Sequence, residues 1–176
     1  MLLNTQPTLE NDNIRLLPLG EDDFEALYEV ASDPKIWEQH PNKNRWQREA
    51  FQNYFQGAIE SKGALKIIDK TTGNIAGSTR IYDYNEQNNS VLIGYTFIAT
   101  EYWGKGINPT VKAMLIEYLF QHVLEVIFHI GGNNKRSQIA ITRVGAEKIG
   151  EQEVAYFGEP SVLNYIYSIK KENWKK

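Results

Sequence analysis

The 176-residue sequence contains no cysteine. That absence removes a disulfide framework, a thiolate nucleophile and any cysteine zinc site, and it fits a reducing compartment, so the cytoplasm is the expected location. Nor does any apolar run approach the roughly 20 residues that a membrane helix needs, and no stretch resembles a signal peptide, so a soluble protein with no membrane partner is expected. An excess of positive charge is missing too. Nineteen Lys and Arg stand against 22 Asp and Glu, for a net charge of -3 with mixed signs along the chain, whereas a nucleic-acid partner would require a concentrated basic face. The basic end, 170–176, reads as a solvated tail. There is no internal repeat, low-complexity tract or linker, and the length suits one domain over 1–176.

What is present follows two periods. Residues 14–19 form a short apolar run ended by Gly20, and Glu21-Asp22-Asp23 then places acids in the first turn of a helix. Phe24, Leu27, Tyr28 and Ala31 recur at three- and four-residue steps until Asp33-Pro34 stops them. Past a loop with Trp37, His40 and Pro41, a second stripe runs through Trp46, Ala50, Phe51, Tyr54, Phe55, Ala58 and Ile59. The period then changes. Residues 64–68, 75–82 and 91–98 are β-prone runs separated by polar turns, which predicts an antiparallel meander. A third helix carries Val111, Met114, Leu115, Tyr118 and Leu119 on one face, with His122 placed there as packing. A strand over 126–130, a fourth helix over 137–148 closed by Gly150, and strands over 154–157 and 163–169 complete the reading. The expected fold class is mixed α/β (α+β): a mostly antiparallel sheet of about seven strands with four helices.

The most informative stretch is Tyr102-Trp103-Gly104-Lys105-Gly106-Ile107-Asn108-Pro109-Thr110, at a strand-to-helix turn. Glycines let the backbone come close to a ligand, and the open amides of a helix start form an anion site. Asn108 as N-cap and Pro109 as first helical residue place the helix start at about 109. Two nucleotide motifs fail here. A Walker loop needs Ser or Thr after Gly-Lys, where this chain has Gly106, and a dinucleotide fingerprint needs a third glycine where Pro109 stands.

The same stretch resembles the acetyl-coenzyme A signature of the Gcn5-related N-acetyltransferase (GNAT) superfamily, in its RimJ/RimL-like branch. Ala76-Gly77-Ser78-Thr79-Arg80 and Ile93-Gly94-Tyr95 resemble two strands of that branch, and Asn134-Lys135-Arg136-Ser137, with Gly145-Ala146, resembles its second coenzyme motif. The resemblance covers nearly the whole chain. It implies a GNAT-like sheet splayed between strands four and five, with main-chain groups of Thr96, Phe97 and Ile98 along the pantetheine arm. It also implies a pyrophosphate held by the amides of Gly104, Lys105, Gly106, Ile107, Asn108 and Thr110, Lys105 adding charge at the rim, and Asn134 in the second motif. Trp103 stands where many members have Gln or Arg, and Asn108 where most have Gly or Ala. Acetyl-CoA is the implied cosubstrate, and no metal is implied.

Amide formation from a thioester needs a neutral amine, a stabilised carbonyl oxygen and a proton for the departing thiolate. Ser137 matches the position of a serine thought to assist the leaving sulfur in relatives of the RimL type; a serine at a helix start also satisfies backbone donors. The acidic tyrosine of other branches falls at Ile141. His129 titrates in the useful range and lies where some relatives place a catalytic glutamate, though a histidine satisfied within the sheet is the commoner case. Tyr95 and Asp83 are further candidates for the acceptor groove, and Leu92 stands where this branch often has a carboxylate. With no cysteine, transfer is expected by direct attack of a primary amine. Neutralising a lysine at pH 7 costs about 4.6 kcal/mol against about 1.1 for an α-amine, which leans toward α-amines, with a protein or peptide N-terminus and a small amine such as an amino acid, polyamine or antibiotic as the competing acceptors. A non-catalytic acyl-CoA-binding module is the alternative. A monomer or homodimer is expected.

Overall fold

The computed structural model describes residues 3–155 and 158–175. Its strands are β1 (Leu9–Glu10), β2 (Ile14–Pro18), β3 (Ala64–Asp69), β4 (Ile75–Asn85), β5 (Ser90–Ile98), β6 (Glu125–Gly131), β7 (Glu147–Ala155) and β8 (Ser161–Lys170). The helices are α1 (Phe24–Ala31), α2 (Arg48–Glu60), α3 (Ile107–Leu119) and α4 (Lys135–Arg143). All the strands join one sheet, ordered β1-β2-β3-β4-β5-β6-β8-β7. Every pairing is antiparallel except that of β5 with β6. Among the described residues no helix is long and apolar enough to cross a membrane.

Period-two alternation sends neighbouring side chains to opposite faces. Leu65 and Ile98 join a cluster with Val111, Leu115 and Leu119 of α3, while Ala64 and Phe97 join Leu27 of α1, Trp37, and Phe51 and Phe55 of α2. The sheet is thereby covered by α3 on one face and by α1 and α2 on the other. Both faces of β5 are buried, which is why its run from Val91 to Ile93 is continuously apolar rather than alternating.

Several boundaries differ from the sequence expectation. Among the described residues the sheet has eight strands rather than about seven, because Leu9 and Glu10 pair with Leu16 and Arg15; two residues are too few to show a period. α3 begins at Ile107, two residues early, because Gly106 rather than Asn108 is its N-cap. α4 spans Lys135–Arg143 instead of 137–148. Gly145, at φ 104°, turns the chain after it, and its amide and that of Ala146 close on the carbonyls of Thr142 and Ile141. Glu147 and Lys148 consequently start β7, which ends at Ala155, while Tyr156 and Phe157 of the expected 154–157 strand lie outside the described residues.

Candidate active site

The site begins where the sheet stops pairing. β5 and β6 are joined only through Ser90 with Glu125, Val91 with Val126 and Leu92 with Ile127. Beyond Leu92 the two strands part, so the expected splay lies between β5 and β6. A cavity of about 90 Å³ occupies the opening, with Tyr95, Thr96, Lys112, Phe128 and His129 on its walls. A groove of about 700 Å³ runs from it toward the surface between Trp103 and Gly104 on one side and Arg136 and Arg143 on the other. His40, Thr96, Asn108, Pro109 and Ser137 line both, so the two spaces adjoin.

The groove's floor is the turn into α3. Gly104 and Gly106 take φ 73° and 77°, a left-handed conformation that strains residues with a Cβ. A Cβ on either would meet nothing within 4 Å, so conformation, not crowding, calls for glycine there. The amides of Gly104, Gly106, Ile107 and Asn108 make no hydrogen bond among the described residues, while that of Thr110 is bonded to Gly106 O at 3.2 Å. Pro109 is the third helical residue, where an absent N–H leaves nothing unmade. Asn108 Oδ1 is buried without a partner, a donor-seeking atom at the inner end of the cradle. Open amides, glycine geometry and an orphaned acceptor fit an elongated ligand with an anionic portion over the helix start. Lys105 and Thr110 line neither space; Lys105 Nζ lies 5.7 Å from the centre of the Tyr102 ring. Thr96, Phe97 and Ile98 all line the groove, although the Ile98 carbonyl already accepts from Trp103 Nε1 at 2.9 Å. The Arg136 guanidinium stacks 3.9 Å above the Trp103 ring and so joins the two banks of the groove.

The inner cavity is shaped by a bulge. β4 and β5 are in register at Arg80 with Gly94 and at Ser78 with Phe97, so Tyr95 and Thr96 together face Thr79. Tyr95 takes φ 53°, rare for a non-glycine residue. Its carbonyl accepts from Tyr54 OH at 2.6 Å, and its ring lies 3.7 Å beneath the Arg80 guanidinium. Burial raises the pKa of both Tyr54 and Tyr95, so both phenols stay protonated and able to donate. Thr79 Oγ1 and Thr96 Oγ1 share a hydrogen bond of 2.8 Å. On the cavity wall, Arg45 forks onto Glu159 with two bonds of 2.7 Å.

Of the expected catalytic residues, Ser137, His129 and Tyr95 all face the inner cavity. Ser137 sits at its junction with the groove, in the first turn of α4; its amide is capped by Asn134 Oδ1 at 3.2 Å. Asn134, 4% exposed, both starts the helix and lines the cavity. Burial lowers the pKa of His129 while the Asp83 charge opposes it. Ile141 lines the same space as a purely apolar wall. Two further groups of the cavity lie outside the set of site residues expected from the sequence. His40 has its pKa pushed down to about 3 by burial and by Arg45 and Arg136, and a histidine in an irregular loop carries no signal of that. Lys112 is 7% exposed, and its pKa is pushed down to about 7 by desolvation. Its signal was readable: Lys112 recurs with Leu115, Ile116 and Leu119 at three-, four- and seven-residue steps, so it occupies a core position of α3.

A family model described as an acetyltransferase (GNAT) domain matches residues 13–147. Solved structures share the fold. A GCN5-related N-acetyltransferase from Brucella melitensis is 18% identical, with 96% of this chain and 80% of that one covered at a TM-score of 0.80. RimJ from Mycobacterium smegmatis, in complex with CoA-disulfide, is 17% identical over 93% of this chain and 84% of its own, at 0.72. The ribosomal-protein-S5-alanine acetyltransferase of Vibrio fischeri is 16% identical over 97% and 100%, at 0.70. Comparison with curated protein sequences finds no match.

Proposed function

Because the chain belongs to the GNAT acetyltransferase family, we propose that its groove holds acetyl-CoA and that its inner cavity presents a primary amine to the thioester. The observation that carries this reading is that the two spaces share walls, with the open amides of α3 along the groove and Ser137 lining both. The amides of Gly104, Gly106, Ile107 and Asn108 would hold the pyrophosphate. The likeness to RimJ and to the Vibrio fischeri enzyme supports the RimJ/RimL-like branch and a protein or peptide N-terminus as acceptor.

Bound acetyl-CoA supplies an activated acyl group. The protein supplies position and proton handling. Ser137 Oγ, which makes no hydrogen bond among the described residues, is placed to donate toward the departing sulfur. Tyr95, protonated and held by its main chain, lines the acceptor side as a hydrogen-bond donor. His129, neutral at working pH, lines that side as an acceptor. Attack is direct, and with no cysteine in the chain an acetyl-cysteine route is excluded.

The absence of cysteine also makes the test clean, because a thiol reagent then reads only released coenzyme A. Acetyl-CoA with a panel of N-terminal peptides, lysine peptides and small amines is expected to release coenzyme A with α-amine peptides first. Silence with every amine of the panel would overturn the reading.

A further inference from the structure

Lys112 lies 2.6 Å through Nζ from Thr96 Oγ1 and 6.0 Å from the centre of the Phe128 ring. Among the described residues it makes no ion pair, and burial is the cause of its altered proton affinity. An ammonium so placed has exchanged hydration for one neutral hydrogen bond and a ring face, so its neutral form is favoured. The Thr79–Thr96 hydroxyl pair anchors Nζ at the bulge, where β5 turns away from regular pairing with β4. From there Lys112 shares the cavity with Tyr95, His129 and Ser137.

The charged and titratable groups around that cavity are few. β5 contributes Tyr95, β6 contributes His129, and the segment before α2 contributes His40 and Arg45. α4 faces it with no carboxylate, and the nearest on β4 is Asp83. Asp83 acts on His129 and Tyr95, and Glu159 is engaged by Arg45. Of the bases present, His40 has its pKa near 3 and His129 lies below its usual value. Lys112, at about 7, is matched to neutral pH.

We propose that Lys112 is the general base of this site, its neutral Nζ accepting a proton from the acceptor ammonium. The proposal rests on the amine-acetylation reading above. The acceptor R–NH3+ gives one proton to Nζ and becomes R–NH2, whose lone pair forms the C–N bond to the acyl carbon. The C–S bond breaks and its electron pair leaves on sulfur. Of the two protons the amine loses, one reaches the thiolate and one reaches solvent, which returns Lys112 to its neutral form.

The test uses the full chain as wild type, Lys112→Met and Lys112→Arg. In wild-type protein labelled with 13C at the lysine ε-carbons, one resonance is expected to titrate near pH 7 and to be missing from Lys112→Arg. A full set of lysine resonances titrating near the ordinary value would overturn the proposal without any assay of activity. Lys112→Met is expected to lose about 100-fold in kcat/KM at neutral pH, together with the acidic limb belonging to Lys112, while its acetyl-CoA Kd stays within about twofold of wild type. Arginine keeps the charge but cannot release a proton, so Lys112→Arg should be as impaired; rescue by arginine would assign Lys112 to charge donation instead. A Met variant that keeps the wild-type pH profile, or a wild type whose Lys112 is itself acetylated on incubation with acetyl-CoA, overturns the proposal alone. A wild type that stays silent with every amine of the panel overturns the amine-acetylation reading and the base with it.

Discussion

The hydroxyl of Tyr54, from α2, donates to the main-chain carbonyl of Tyr95 at 2.6 Å and pins the one residue of β5 that stands in the left-handed region. A helix on one face of the sheet thereby holds the bulge that opens the cavity beside β6. Tyr54→Phe leaves that carbonyl without its donor at a cost of about 1–3 kcal/mol. We expect a urea midpoint lowered accordingly and a fall in kcat larger than any change in acetyl-CoA affinity. An unchanged midpoint and kcat would show that the bulge holds itself.

Gly106 caps α3 at φ 77° with open space where a Cβ would go. Gly106→Ala therefore meets backbone strain of about 1–2 kcal/mol, with no clash. The expected result is a comparable loss of stability and acetyl-CoA binding at least tenfold weaker by calorimetry, since the amides aimed at the pyrophosphate shift together. Binding at full strength would remove the α3 start from the coenzyme site.

Asn134 joins helix capping to chemistry through a single contact, from its Oδ1 to the amide of Ser137. Asn134→Ala is expected to cost about 1 kcal/mol in stability and to lower kcat through the displaced Ser137, with acetyl-CoA affinity nearly kept. Asn134→Asp, which keeps the acceptor, should restore most of the stability; failure to do so would mean that the cap is not what Asn134 contributes.

Lys112 also sets a pH dependence of stability. Its pKa is about 7 in the folded protein and 10.5 in the unfolded chain. Between those values the unfolded chain holds a proton that the folded protein has released, so raising the pH favours folding. Below about pH 7 both states are protonated, and the burden of a buried charge is fully present. Lys112→Met should be more stable than wild type by a few kcal/mol near pH 6, and its advantage should shrink steadily toward about pH 10. Urea unfolding at several pH values measures this; a pH-independent difference would contradict it.

The elements that announce themselves in the sequence are those whose period is set by burial on one face. Leu27 and Ala31, or Phe51, Tyr54 and Phe55, recur because a helix repeats every 3.6 residues against a fixed core. Boundaries were harder. Asn108 looks like a cap because its chemistry suits one, yet the left-handed geometry of Gly106 takes that place and leaves Asn108 inside the helix with an orphaned oxygen. Lys148 continues a helical pattern by composition, but the turn at Gly145 places it in β7 opposite Tyr167. The cradle was legible because glycine spacing, a helix start and a second motif at Asn134 to Ser137 coincide. The inner cavity was not, because its defining events are tertiary: one extra residue in β5, a phenol reaching over from α2, and a lysine whose chemistry is made by the apolar residues around it.

The three-pair seam between β5 and β6 has one more implication. A sheet normally keeps its unmatched backbone groups at the rim, where charge or a covering loop guards them. Here the rim has been brought indoors: past Leu92 and Ile127 each strand offers its bare side to the other across a gap neither can close. A guest that carries amides of its own can lie there as a borrowed strand and complete the ladder. Backbone amides of 93–98 and 128–131 that face the gap should thus be the ones whose hydrogen exchange slows most when the ligand enters, which makes ligand binding and completion of the sheet a single event.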